Sequence, residues 1–475
     1  MSYEITGEKL LEGVKKMNSF GPRYTGSEAH QLFIESLKTE IRNIGFEVYS
    51  DPFYFKRWQA NKAFLNILGE TIENVSVSSV HPYSGVTPKG GITAPLCRIK
   101  SMADFAKVKG KIAVIEISNI DFIPSSLAFS KRSSYPSDAL MEPKYEGPVI
   151  TTFVKFVYGM LAKAGKAKAA VFIWKNLHDE CVKGQYLPFI LEYQNLPVLW
   201  VNETEGEKLI QAAKQKKRAN LVLDAELDEN AYTESFYCIK KGMQNGESVI
   251  INTHTDGPNC IEENGPIAML ELLKAVRDIE LERTHIFVFT TGHFRLPSFR
   301  DISTGSFQSA SRWMAMHRAL WDGKHGHLKC VANLTPEHLG CKEWRTVEGK
   351  YVYTGKPDLE LVYTGNKVMD KLYIDTVKEN RKNVRTMTLR GHNMLHFGEG
   401  QNFFTMGVPG ICLVPAPYYL CAESENHEME KFDAELMCEQ TNTFLKLIFK
   451  IERLSQKQLG RSDGYSFIVS KSVFK

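Results

Sequence analysis

The 475-residue chain contains no run of about 18 apolar residues, so no membrane-spanning helix is expected. Its first residues, MSYEITGEKLLEGVKKM, are charged and amphipathic and lack the apolar centre of a secretory leader. A net charge of +4 is too small to argue for nucleic acid as a partner, and the mildly basic end from Lys446 reads as a solvated helix and tail. The nine cysteines (Cys97, Cys181, Cys238, Cys260, Cys330, Cys341, Cys412, Cys421 and Cys438) are odd in number, scattered and never spaced C-x-x-C. That argues against a disulfide framework or a structural zinc site, and for free thiols in a reducing, cytoplasmic compartment. Internal repeats and low-complexity segments are absent as well. What is left, with 43% hydrophobic and 24% charged residues, is an ordinary globular composition in a chain long enough for two or three domains.

The stretch that organises the chain is SVIINTHTDGPNCIEENGPIAMLELLKAV, residues 248–276. Its apolar start, 249–251, has the β-branched content of a buried strand. A polar loop carrying His254, Asp256, Cys260, Glu262 and Glu263 follows. Met269, Leu272, Leu273 and Val276 then repeat at i, i+3, i+4, i+7, the apolar face of a helix. In open α/β sheets, ligands bind where such strands end. Later in the chain, HIFVFT (285–290) runs into TGHF, residues 328–334 lead into PEHLG, and FGEGQNF (397–403) precedes a strand at 408–414. A helix is expected at 308–321, a long one at 433–453, and neighbouring strands at 236–241 and 249–253. Near the start, helices are expected over 6–18 and, capped by Ser27 and stopped by Gly45, to about Asn43. Pro52 marks an edge or bulge in a strand over 46–55. Residues 81–150 are rich in turn signals, with a strand at 111–117, and strands at 169–174 and 198–201 and helices at 152–165 and 205–218 follow. The expected architecture is α/β: a mixed central sheet flanked by helices, formed by 1–80 and 236–475, with a β-rich domain inserted at 81–235.

Three strands of the second half end in groups that chemistry can use. The first delivers His254, Asp256 and Glu263, the second His293, and the third Glu337 and His338. Imidazole nitrogen and carboxylate oxygen drawn from several elements suit a divalent metal. Asp256, two residues beyond His254, suits the carboxylate that fixes an imidazole tautomer. Glu399 is a further acid in a glycine-flanked loop, and His392 and His396 flank it, as pocket rim or as plain surface. Trp344, Phe403, Tyr418 and Tyr419 either line an apolar substrate pocket or belong to the core. Cys260 reads as a buried bystander.

GPRYTGS before a helix, HTD after a strand, and an acid–Asn pair before a helix resemble the M28 family of zinc aminopeptidases and carboxypeptidases. KVKGKIAVI (107–115), LAKAGKAKAAVFIW (161–174) and LPVLWVNETEGEKLIQAAK resemble the protease-associated domain inserted in many of its members. The resemblance implies a zinc-exopeptidase-like fold, with His254 as a zinc ligand, Asp256 as its partner and Glu263 in place of a bridging Asp. The family's Glu–Glu pair, general base then ligand, reads Gly292–His293 here, so the base is missing and a ligand of another type remains. The family's next Asp falls at Thr335, with Glu337 and His338 beside it. Its last His falls at Leu420 in PYYLC, with His427 near but out of register.

Two readings follow: a peptidase fold kept for binding, or a site rebuilt for another ligand set. Ligand-type groups stand in or beside the lost positions, which favours the second. The expectation is a metal-dependent hydrolase acting on an amide or peptide-like bond of a small-molecule or short peptide-like substrate. One divalent ion, zinc, is expected rather than two, held by His254, Glu263, His293 and His338. Glu262, Glu337 and Glu399 are the candidate bases, and Asp256 supports. A metal-dependent lyase or isomerase is the rival enzyme, and an inactive binding protein the rival outside catalysis. A homo-oligomer is compatible with any of them.

Overall fold

The helices begin and end where side chains and glycine permit. In the computed structural model, α1 (Gly7–Asn18) starts at Thr6, whose hydroxyl accepts from the Lys9 N–H. Helix α2 (Glu28–Ile44) starts at Ser27, which accepts from the His30 N–H, and stops at Gly45 in a left-handed conformation. The structure describes residues 3–119, 130–137, 152–187, 193, 195–294, 296–305, 308–392 and 396–463. The end of the basic tail, 464–475, and 120–129 and 138–151 of the turn-rich stretch lie outside these.

The first strands in chain order are β1 (Tyr49–Leu68), β2 (Ile72–Val75), β3 (Ser79–Val80), β4 (Ile92–Ile99), β5 (Ile112–Ser118), β6 (Lys131–Tyr135), β7 (Ala169–Lys175), β8 (Val198–Val201) and β9 (Arg218–Lys240). There follow β10 (Glu247–His254), β11 (Thr284–Thr290), β12 (Lys329–Pro336), β13 (Lys342–Val347), β14 (Lys350–Pro357), β15 (Glu360–Thr364), β16 (Thr386–Arg390) and β17 (Gly410–Leu413). All but the β13–β14 hairpin join one mixed sheet, ordered β3-β8-β7-β5-β4-β9-β11-β10-β12-β17-β15-β16-β6, with β1 and β2 beside β9. The expectation of a mixed central sheet flanked by helices holds.

The long strand β9 is the spine. Its start pairs with β4, its end with β11, and most of its length, from Arg218 to Tyr237, with β1, so it runs through the expected join at 235–236 without a break. Pro52 stands opposite Glu234 on the open edge of the β1–β9 ribbon, where a missing N–H costs nothing. One expectation fails: the strands ending at Lys240 and starting at Glu247 are not neighbours, because β11 lies between them. The connecting residues Met243 and Gln244 donate to the Leu281 and Glu282 carbonyls and so carry the chain past the start of β11. The strand β10 is buried along nearly its whole length and is enclosed by parallel partners on both sides.

Helix α3 (Gly265–Val276) covers this centre, and α1, α2 and the last long helix, α4 (Ala434–Glu452), pack against it. Leu272, Leu273 and Val276 are completely buried. Truncating either leucine to Ala would cost about 2–5 kcal/mol. The helix expected at 308–321 is shorter, Ala310–Met316, and tightens into a separate turn at Arg318–Leu320. Strands β5, β7 and β8 are buried on both faces: Ile112 and Val114 pack with Trp58 and Leu221, while Ala113, Ile115 and Phe172 join the core that holds Leu272 and Phe289. All nine cysteines are free. Among the described residues, no helix is long and apolar enough to cross a membrane.

His81 is buried against Tyr158, Phe172 and Trp200, and its Nδ1 accepts from the Trp200 indole N–H at 3.2 Å. Burial pushes this imidazole down to about 3. Between that value and the ordinary 6.5, the unfolded chain binds a proton that the folded chain refuses, so stability falls as the pH falls through this window. Acidification from pH 7 to pH 5 should cost about 2 kcal/mol through His81 alone. Urea midpoints at the two pH values check this: His81→Gln should lose about 2 kcal/mol less than the wild type on acidification. Equal losses would refute the assignment.

Candidate metal centre

The carboxyl ends of the parallel trio β11-β10-β12 converge on one buried cluster. His254 is the last residue of β10, His293 follows β11, and Glu337 and His338 follow β12. Glu262 and Glu263 lie just before α3, where Asn264 accepts from the Leu339 N–H and ties this loop to the end of β12. Every one of these side chains is nine-tenths or more buried.

Two imidazoles are oriented by backbone. The His254 Nδ1–H donates to the Asp256 carbonyl at 3.1 Å, and the His338 Nδ1–H donates to the Pro415 carbonyl at 2.8 Å. Both therefore turn Nε2 toward the cluster. Burial, reinforced by the neighbouring His293 and His338, holds His254 well below its ordinary range, and burial brings His338 down to about 3. Both are neutral donors. His338 takes this position with φ +55, an uncommon backbone state for a residue other than glycine.

His293 is different. Its ring stacks on His254 at 3.7 Å, with Nε2 2.7 Å from Glu262 Oε1 and Nδ1 3.3 Å from Asp256 Oδ1. Burial works against its charge, but the two carboxylates outweigh burial and hold it well above its ordinary range. Asp256 supports the centre through its backbone carbonyl, while its carboxylate accepts from the Thr25 hydroxyl and the Gly292 N–H. Gly292 has φ +83, and a Cβ there would lie 2.2 Å from the Phe299 ring.

Donor atoms of His254, Glu337 and His338 lie within 4.8 Å of one another, and so do those of His254, Glu262 and His293. Glu262 Oε2, Glu263 Oε2 and Glu337 Oε2 are buried without a hydrogen-bond partner. Unpaired buried carboxylate oxygens are costly unless a cation or water meets them, and with two neutral imidazoles beside them the donor set fits a divalent metal. Burial and the Glu399 carboxylate push Glu337 well above its ordinary range.

The remaining expected residues fall elsewhere. Glu263 turns to Arg23, which pairs with its carboxylate in full burial. Burial raises the Glu263 carboxyl and Arg23 opposes it. Glu399 accepts from the Ser309 and Ala310 N–H groups at the start of the Ala310–Met316 helix, while its own N–H donates to Glu337 Oε1 at 3.0 Å. His396 is buried against Tyr363. Phe403, Tyr418 and Tyr419 are buried, and Trp344 packs on Tyr351. Cys260 is buried as expected. His427 offers its carbonyl to the Cys260 N–H.

Arg23, Thr25 and His30 belong to the site's support; in the sequence, GPRYTGS carries part of a resemblance but no role for its residues at the site. His30 joins Thr255, Thr25 joins Asp256, and Arg23 joins Glu263, so GPRYTGS and the helix after it brace the central loop. An aromatic wall adjoins: Tyr186 stacks on Tyr24 at 3.9 Å and meets Phe294 edge-on at 5.3 Å, and Phe294 lies 4.0 Å from His293. Tyr186 is held there by its N–H to the Cys421 carbonyl.

No protein-family model matches the chain, and no curated protein matches its sequence. Solved structures match its fold. The zinc aminopeptidase BSAP from Bacillus subtilis is 14% identical with a TM-score of 0.66, over 98% of this chain and 100% of that one. The aminopeptidase from Aneurinibacillus sp. strain AM-1 is 15% identical with a TM-score of 0.62, over 98% and 96%. The peptidase M28 precursor from Shewanella amazonensis SB2B is 15% identical with a TM-score of 0.63, over 92% of each chain. Across nearly its whole length, the chain has the fold of these zinc aminopeptidases and M28 peptidases.

Proposed function

We propose that the protein is a metal-dependent hydrolase of an amide or peptide-like bond in a small substrate, with one divalent ion, zinc by its donors. The observation that carries this reading is the pair His254 and His338, each locked by a carbonyl at Nδ1 and presenting Nε2 to the same space as the unpaired Oε2 of Glu337. Two neutral imidazoles and a carboxylate form a catalytic zinc-type set. His254 is common to both candidate groupings and has a single free nitrogen, which supports one ion rather than two. When bound, the ion would polarise the scissile carbonyl and make an attacking water acidic.

The chain's own residues divide the other work. His293 is committed to Glu262 and Asp256, so we assign it to orienting Glu262 rather than to the ion. Glu262 Oε1 is anchored on His293 Nε2, and Oε2 is left to take a proton from water and return it to the leaving nitrogen. Glu399 fixes Glu337 by its N–H and is itself committed to capping. Glu263 is excluded from the ligand set by Arg23. Tyr186, Tyr24 and Phe294 favour a substrate with an apolar group beside the scissile bond. The likeness in fold to zinc aminopeptidases supports hydrolysis over lyase or isomerase chemistry.

Elemental analysis of the purified protein should find about one equivalent of divalent metal. His254→Ala and His338→Ala should lose it, and His293→Ala should keep it. A wild type that takes up no metal on reconstitution sinks this reading. With a panel of aminoacyl and N-acyl amides, Glu262→Gln should retain the metal and lose about 10²–10⁴-fold in kcat. Full activity in that variant would remove Glu262 from the reaction.

A further inference from the structure

Arg23 lies at the start of the chain, yet it is completely buried beneath the central loop. Its guanidinium pairs with Glu263 through Nε and Nη2, and it donates from Nη2 to the Asn259 carbonyl at 3.1 Å and from Nη1 to the Met17 and Gly21 carbonyls. Its backbone exchanges two hydrogen bonds with Gly257, at 2.9 and 3.0 Å. Gly257 is also where the two neighbouring acids converge. A Cβ there would lie 2.0 Å from Glu263 Oε2 and 2.2 Å from Glu262 Oε2. Two buried carboxylates that share one wall repel unless one is compensated.

We propose that Arg23 is a positioning residue for the metal centre: by pairing with Glu263 and clamping residues 257–263, it holds Glu263 away from the cluster and leaves Glu262 aimed at His293 and His254. The inference rests on the proposed metal centre. Arg23 touches neither the ligands nor the substrate side of the cluster; it acts through Glu263 and the loop backbone. Asn259 completes the clamp, since its Oδ1 accepts from the Ile261 and Glu262 N–H groups and its Nδ2 donates to the Tyr419, Leu420 and Ala422 carbonyls. Glu263 is then a counter-charge partner and no ligand.

The test is a Co²⁺ titration of the full-length apo-protein, read by the visible absorption of the bound ion, with Zn²⁺ competition and melting curves alongside. Arg23→Gln should bind Co²⁺ about 10–100-fold more weakly, as expected for loss of a group that supports a metal centre from outside it. Glu263→Gln should keep wild-type affinity and band positions. The double variant Arg23→Gln/Glu263→Gln should return to within about threefold of wild type, because a neutral residue 263 no longer needs a cation. A folded Arg23→Gln with wild-type affinity overturns the proposal. So does a Glu263→Gln that loses Co²⁺, which would make Glu263 a ligand, and so does a double variant as weak as Arg23→Gln, which would confine Arg23 to folding. If Arg23→Gln alone does not fold, recovery of folding and Co²⁺ binding in the double variant supports the proposal, and failure to recover overturns it. A wild type that binds neither Co²⁺ nor Zn²⁺ removes the metal centre itself, an outcome distinct from wild-type binding that is indifferent to Arg23.

Discussion

Burying carboxylates away from water is the constraint around which this molecule is arranged. Asp256, Glu262, Glu263, Glu337 and Glu399 all lie inside, close to the ends of three parallel strands. Isolated, each would be prohibitively expensive there. Each is met by something specific: Asp256 by Thr25, Gly292 and His293, Glu262 by His293, Glu263 by Arg23, Glu399 by two N–H groups at a helix start, and Glu337 by a single N–H. Compensation is least complete at Glu337 and Glu262: like Glu263, each has a second oxygen without a donor, but only Glu263 is offset by an arginine. The unpaired oxygens of Glu337 and Glu262 mark where a cation and a reacting water would be most strongly drawn.

The sequence made the ends of the strands legible and their companions illegible. Apolar runs that end in polar, glycine-containing loops are local features, so His254, His293, Glu337 and His338 could be placed at strand ends from one stretch each. The caps at Ser27 and Gly45 were equally local. What each acid faces was not local. Glu262 and Glu263 are adjacent, and nothing in EENG says that the first turns to His293 and the second to an arginine 240 residues away. Glu399, an acid in a glycine-flanked loop, read as a candidate base because its partners, Ser309 and Ala310, belong to another segment. Asp256 was expected to steady His254 with its carboxylate, and the bond runs from its carbonyl instead, a choice that residue type cannot encode.

The same limit explains the fold's surprises. A strand as long as β9 reads in the sequence as short pieces, because its burial pattern changes as its partners change from β4 to β11. The placing of β11 between β9 and β10 follows from pairing demands on both edges of a buried strand, and these are set by residues far along the chain. The β1–β9 ribbon and the hydrogen bonds joining Gly184 and Tyr186 to Cys421 and Glu423 tie residues 81–235 to the rest at two distant places. The aromatic wall beside the centre is therefore assembled from the beginning, the middle and the later part of the chain together.

By the resemblance to M28 peptidases, Gly292 would fall at the position of that family's general base. Its backbone angle disfavours any side chain, and Phe299 already fills the room one would need. Phe299 thus keeps this position closed to a side chain. A side chain at 292 would need the Phe299 position emptied first, at the expense of the T-shaped contacts that ring makes with Phe53 and Phe55. The fold therefore bars an acid from this one strand end, and any proton-handling group at the centre has to come from another element.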